Sequence, residues 1–171
     1  MVAMTEIRAF RRRLLLLATV PVLVAHLPAL GLLLLAADRL PDPLASHFGP
    51  GGGAAGYTGR SGMVLVVLGT AVVVAAVLGV LAARPGGVDD PRWLIASGWG
   101  TAVFVGVTAL ATVVANLDLT DASAALIPWW TIPVAIVASV GACRLGWLAT
   151  PSPTSSWDGD RSSPAAEAPA R

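Results

Sequence analysis

The chain predicts an all-α fold, a polytopic membrane protein built as a four-helix transmembrane bundle, and two observations carry that prediction. The segments 14–37, 63–83, 93–115 and 126–149 are apolar runs that contain no Asp, Glu or Lys. Each is long enough to cross a hydrocarbon core as a helix, which takes roughly 20 residues at about 1.5 Å of rise each. Lipid offers the backbone no hydrogen-bond partner, and a helix is the form in which such a run satisfies itself. The second observation is charge. Hydrophobic residues make up 56% of the 171 and charged residues only 12%, which is too little to surface a soluble domain of this length.

Taken in chain order, residues 1–13 form a basic cytoplasmic head, read as an interfacial turn whose arginines face anionic headgroups. The first span carries Pro21 and Pro28, each of which removes a backbone donor, so a kinked helix is expected. The run exceeds the roughly 7–15 apolar residues of a secretory leader, and Leu34-Leu35-Ala36-Ala37 is a loose cleavage site, so a retained span is expected. Residues 38–62 are the longest connection, a Gly/Pro-rich extracytoplasmic loop. Asp38-Arg39-Leu40-Pro41-Asp42-Pro43 stops the helix, and Gly51–Gly53, Gly56 and Gly59 permit tight reversals. The second connection turns around Pro85-Gly86-Gly87, after which Asp90 can cap the third helix and Pro91 suits its first position. The third connection, 116–125, is polar and acidic, with Asp121 or Ser123 available as a cap. Residues 150–171 are rich in Pro, Ser and Ala and are expected to be a disordered cytoplasmic tail, with too little apolar area to fold.

Arginines set the expected orientation. Arg8, Arg11, Arg12, Arg13, Arg84, Arg92, Arg144, Arg161 and Arg171 fall on one side of the spans, against Arg39 and Arg60 on the other. By the positive-inside rule both termini are cytoplasmic, in a plasma (inner) membrane. Trp93, Trp99 and Trp147 lie near the inner ends of their spans and Trp129 and Trp130 near an outer end, as interfacial aromatics do. Small residues recur every four positions at Ala75-Gly79-Ala83, Gly98-Ala102-Gly106 and Ala135-Ser139-Cys143, and such stripes predict close helix seams. Thr101, Thr108 and Thr112 can bond across to a neighbour or back to their own helix.

Chemistry-bearing residues are few. A net charge of +1 without a clustered basic face argues against a nucleic-acid partner. Cys143 is the single cysteine, which excludes an intramolecular disulfide or a thiolate metal cluster. Gly51–Gly56 matches G-x-G-x-x-G literally, but it sits between two spans without the strand, helix and acid of a dinucleotide site. His26 is a candidate intramembrane polar residue, an ionisable group at mid-span. A neutral imidazole bonded to a carbonyl loosened by Pro21 or Pro28 is the simpler account of it. His26 and His47, 21 positions apart, do not make a metal pair, and no catalytic residue, metal or cofactor is expected.

The loop is the informative segment. Leu40, Pro41, His47, Phe48, Gly52, Gly56, Tyr57 and Arg60 follow the first span at fixed spacing. This resembles a domain of unknown function found near the N-terminus of many bacterial membrane proteins, including SdpI-type toxin-immunity proteins. In that pattern a span is followed by Leu-Pro, a second Pro, His-Phe, a Gly, an Asp-Gly-aromatic step and a basic residue. The chain departs from it at Ala45, where the second proline is usual, and at Ala55, where the Asp is usual. The resemblance covers the first span and loop only and does not extend to the helical domain that carries immunity.

The expected function is therefore a non-enzymatic binding or accessory component in sensing, envelope stress or immunity, acting through the loop. Its partners would be the lipid bilayer and another membrane protein. The alternative is a small transporter or channel subunit acting as a homo-oligomer through the small-residue stripes, since four helices without a buried carboxylate make a poor coupled carrier alone. The topology has a direct test. Reporter fusions after Gly56 and after Ser123 should read outside, and fusions after Gly87 and Thr154 inside; a reversed or odd-numbered pattern defeats the arrangement.

Overall fold

A computed structural model describes residues 2–83 and 90–150, with side chains of 2–8, 10 and 11 left aside. The turn around Pro85-Gly86-Gly87 and the tail from Pro151 onward lie outside the described residues. Four α-helices account for most of the described chain: α1 (Val2–Leu35), α2 (Arg60–Ala83), α3 (Pro91–Ala115) and α4 (Thr131–Ala149). All four are long and apolar enough to cross a membrane, α1 through its Arg12–Leu35 portion.

Several boundaries differ from the sequence reading, with α2 starting at Arg60 and α3 at Pro91, and three of the differences have a physical reason. The basic head is not a turn: α1 runs unbroken from Val2, because nothing before Pro21 is a Pro or Gly and Ala, Met, Glu, Leu and Arg all favour helix. At its other end α1 gives way after Leu35 to a 3-10 turn over Ala37–Arg39. The fourth helix starts at Thr131 rather than Leu126, because Leu126 and Ile127 are extended and pair with another segment. Asp121 caps a separate 3-10 turn at Ala122–Ala124, and Trp130 starts α4 without a side-chain cap. Asp90 and Pro91 do open α3 as expected, with the Asp90 carboxylate accepting from Arg92 N–H at 2.9 Å.

The connection between α1 and α2 is not irregular. It holds an antiparallel hairpin of β1 (Leu44–Phe48) and β2 (Ala54–Thr58), so the all-α description fits the helices and not the loop. The register is shifted twice around His47, and the Ser46 and Thr58 hydroxyls bond across the pair at 2.8 Å. No clean apolar/polar alternation marks either strand, which is why the sequence reads as a loop.

The helices lie in the order α2, α1, α3, α4, with α2 also touching α3 and α4 packed mainly on α3. Buried positions Leu14, Ala18, Val22, His26, Ala29 and Leu33 form the inner stripe of α1 at three- and four-residue spacing, and Ala36 just past its end continues it. Two apolar clusters are strung along it. One joins Leu14, Ala18 and Val22 to Leu78, Ile95 and Ala102. The other, at the hairpin end, joins Ala29 and Leu33 to Leu40, Leu44, Met63, Val67 and Val113.

Small residues on α3 set the helix spacing. Gly98, Ala102 and Gly106 are buried, and a β-carbon at Gly106 would overlap the Ala25 carbonyl of α1. Towards α4, a β-carbon at Gly100 would overlap Cys143 Sγ, and Ser139 Oγ donates to the Gly100 carbonyl at 2.9 Å. The third- and fourth-span stripes are thus real seams. The α2 stripe holds in part: Ala75 packs on the cluster it shares with α1, and a β-carbon at Gly79 would touch Thr19 of α1 at 3.5 Å, but Ala83 is exposed and the fully buried line is Met63, Val67, Ala71 and Leu78. Thr108 and Thr112 bond back to carbonyls of their own helix.

Pro21 has no N–H, so the Leu17 carbonyl loses its helical donor. Trp99 Nε1–H of α3 supplies one at 2.8 Å. At the end of the helices away from the hairpin, Arg92 lies over the Trp147 ring, 5.5 Å from its centroid, and Trp93 meets that ring edge-on at 4.9 Å.

If Gly106 is the close approach between α1 and α3, Gly106→Ala should destabilise the protein by about 1–3 kcal/mol through backbone displacement. Gly69→Ala, on a helix position with nothing within 4 Å, should be neutral or stabilising by up to about 1 kcal/mol. Thermal unfolding of the two variants in one detergent compares them, and equal melting points would show that the seam is loose.

Candidate functional site

The residues singled out in the loop converge on the hairpin and its joints. Leu40 leaves α1 with its side chain in the core, and its carbonyl accepts from the Arg60 guanidinium at 2.8 Å. The Asp42 carboxylate accepts from the Arg60 backbone N–H at 3.0 Å, giving the first amide of α2 an acceptor from a distant turn. Arg60 therefore ties the exit of α1 to the entry of α2. Pro41, half-buried, and Pro43, after a cis Asp42–Pro43 bond, hold the intervening chain out of helix.

Asn116, fully buried at the end of α3, joins the hairpin to the helices. Its Oδ1 accepts from Ala45 N–H at 2.8 Å, and its Nδ2 donates to the Ala45 carbonyl at 2.9 Å and to the Thr112 carbonyl at 2.8 Å. One primary amide thus imitates a neighbouring strand along the free edge of β1. A proline at position 45 would have no N–H for this contact.

Two residues further, Asp118 adopts a left-handed φ of 60° and turns back on Arg39. Its carboxylate takes two charge-assisted bonds from the Arg39 guanidinium, at 2.8 and 2.6 Å, while its N–H donates to the Arg39 carbonyl at 2.8 Å. The guanidinium hydrogen bonds hold the Asp118 carboxyl below its usual range and raise Arg39 in turn. Both side chains are more than half exposed, so the pair fixes geometry more than it adds stability. Asp121 is lowered likewise, by hydrogen bonds from the Ser123 hydroxyl and N–H.

The tip is strapped as well. Ile127 N–H donates to the Gly52 carbonyl at 2.9 Å and Ala54 N–H to the Ala125 carbonyl at 3.2 Å, around an antiparallel bridge between Gly53 and Leu126. Gly52 has φ +80° and a β-carbon there would overlap the Ile127 carbonyl, so this position requires glycine. Gly56 is different: its β-carbon would sit 3.2 Å from His47 Cβ, a tight contact without a left-handed backbone. Beneath the hairpin, Phe48, Ala54 and Leu119 pack on buried Ala45, Ala122 and Ala125.

His47 and Tyr57 are the motif side chains left exposed. His47 Nδ1 lies 3.2 Å from Ser46 Oγ, its one polar contact among the described residues, so the imidazole bonds a neighbouring hydroxyl and not the loop backbone. Trp129 and Trp130, also exposed, follow the strap into α4.

His26 is elsewhere, buried in mid-α1 between the two apolar clusters, and the structure does not bring it to His47. Its Nδ1 lies 2.7 Å from the Val22 carbonyl, which can only accept, so Nδ1 carries the hydrogen. That carbonyl is freed by neither proline, contrary to the expectation; the one Pro21 frees is taken by Trp99. Nε2 has no partner among the described residues. Among those residues no group of three or more His, Cys, Asp or Glu side chains is placed to hold a metal ion.

Sequence reasoning missed Asn116, Asp118 and the 125–127 strap. Asn116 reads as an ordinary polar stop after an apolar run, and nothing local links it to a residue 71 positions earlier. No protein-family model, curated protein or solved structure matches the chain.

Removing the Asn116 amide leaves two buried backbone groups of Ala45 unpaired, so Asn116→Ala should cost about 2–5 kcal/mol. Gly52→Ala should be clearly more damaging than Gly56→Ala. Proteolytic susceptibility of the hairpin, read beside thermal unfolding, checks both; wild-type protection in Asn116→Ala would show that the hairpin stands without it.

Proposed function

We propose that this chain is a non-enzymatic, multi-pass protein of the bacterial plasma membrane, with both termini cytoplasmic, and that the strapped hairpin is its recognition surface on the outer face. The carrying observation is that Asn116 and the Gly52–Ile127 contact tie the hairpin to the rest of the chain, with Arg39–Asp118 joining the α1 and α3 exits beside it, while His47 and Tyr57 stay exposed upon it. Exposed polar and aromatic side chains on a rigid support lose little entropy when they engage a partner, which is what recognition requires.

Orientation rests on the arginine asymmetry, nine against two, with Arg39 and Arg60 the two at the hairpin end. Exposed Trp129 and Trp130 at that end and Trp93 at the other suit the two headgroup layers. The motif's resemblance to the loop of SdpI-type proteins supports an accessory role in sensing, envelope stress or immunity, with a membrane-protein partner. Ala45, which stands where that motif has proline, frees the N–H that Asn116 uses.

Recognition and mere capping separate cleanly. His47→Ala and Tyr57→Ala should change stability by no more than about 0.5 kcal/mol, as surface substitutions do. They should nevertheless fail to complement a deletion strain at normal membrane levels. Full complementation by both would make the hairpin a structural cap, and discrete homo-oligomers in crosslinked native membrane would favour the transporter reading instead.

A further inference from the structure

A groove of about 630 Å³ runs along the N-terminal half of α1 beside Trp99. Its volume is within the range of small-molecule sites, roughly 300–1,000 Å³. Its lining comes from α1 and, through Trp99, from α3. Leu16, Val20 and Pro21 give one end an apolar wall, and Trp99, bonded to the Leu17 carbonyl and set against Gly146, lines it from α3. The indole N–H is already committed to Leu17, so no donor there calls for a polar guest.

The other end is cationic. Arg12 and Arg13 line the groove, both are exposed, and neither has an ion-pair partner among the described residues. Among the described residues no acidic side chain lines it. From Arg12 to Pro21 the helix rises about 14 Å. The groove thus offers two guanidiniums at the headgroup end and an unbroken apolar channel beyond them.

We propose that this groove is a binding site for one anionic phospholipid, with its phosphate on Arg12 and Arg13 and an acyl chain lying along Leu16, Val20 and Pro21 to Trp99. A peptide would leave backbone polar groups unpaired against that wall. A zwitterionic lipid would bring its own cation to two arginines. The phosphate of an anionic lipid suits the planar guanidinium donors and leaves net charge to be neutralised. The inference rests on the chain lying in a bilayer and is independent of what the hairpin recognises.

Acyl-chain bromination tests it, because bromine quenches tryptophan at contact. Trp99 is kept as the sole tryptophan by replacing Trp93, Trp129, Trp130, Trp147 and Trp157 with Phe, and the protein is placed in phosphatidylcholine vesicles. A minor fraction of brominated phosphatidylglycerol should quench Trp99 more strongly than the same fraction of brominated phosphatidylcholine. Arg12→Gln should weaken that preference by roughly fivefold, the effect expected of one basic residue at an anionic surface, and Arg12→Gln with Arg13→Gln should abolish it. Equal quenching by the two lipids, or a preference unchanged in the double variant, overturns the proposal. If the single-tryptophan protein does not fold, native mass spectrometry of the wild type and the double arginine variant replaces it. Wild type should retain phosphatidylglycerol over phosphatidylcholine of the same chains and the variant should not; equal retention of the two lipids, or a preference that persists in the variant, overturns it.

Discussion

The hairpin end of this protein depends on one primary amide. A two-stranded ribbon satisfies only its inner edge, and the outer edge of β1 faces the ends of the helices, where Ala45 is wholly buried. Asn116 meets both backbone groups of Ala45 and still donates to Thr112 of its own helix, so strand and helix become one hydrogen-bonded unit. With that unit fixed, Ala45 can pack on Ala122 and Ala125, and the segment beyond them can run alongside Gly52–Ala54. The Arg39–Asp118 pair then closes the same junction from outside.

The helices solve a related problem by different means. Lipid chains are as apolar as leucine, so burial alone gives helices little reason to associate. Here the association rests on close packing over glycines, Leu78 on Gly98, Cys143 on Gly100 and the Ala25 backbone on Gly106, and on side-chain donors to carbonyls of neighbouring helices. Trp99 on the Leu17 carbonyl is the telling case. The proline that disables one intrahelical bond of α1 creates the acceptor by which α3 holds it. The outer surfaces of α2 and α4 remain aliphatic: Leu65, Val73 and Val77 on one, Val137, Leu145 and Leu148 on the other.

What could be read from the sequence divides along physical range. The four helices were legible because length and hydropathy are local properties, and the Asp90 cap and the α3 stripe because their signals are short-range. The hairpin was hidden because its strands lack alternation: Ala45, Gly56 and two register shifts obscure any period of two. The motif residues were correctly located in one segment, but their division of labour was not visible. Leu40, Gly52 and Arg60 are structural, whereas His47 and Tyr57 point outward, and what distinguishes them is tertiary: the core around Leu40, the Arg60 bond to Leu40, and the Ile127 strap on Gly52. His26 was legible as buried and bonded to a carbonyl, but that carbonyl is Val22, one turn back in the same helix, which neither proline frees.

The 71-residue separation between Ala45 and Asn116 has a temporal meaning. Synthesis runs from the N-terminus, so β1 and β2 emerge while the chain that will cover their outer edge has yet to be made. Until α3 is in place, the N–H and carbonyl of Ala45 can be served only by water or by a chaperone. The tip waits longer still, for Ile127. The hairpin is thus finished only after three helices have been made, and its closure reports that the end of the third stands beside it.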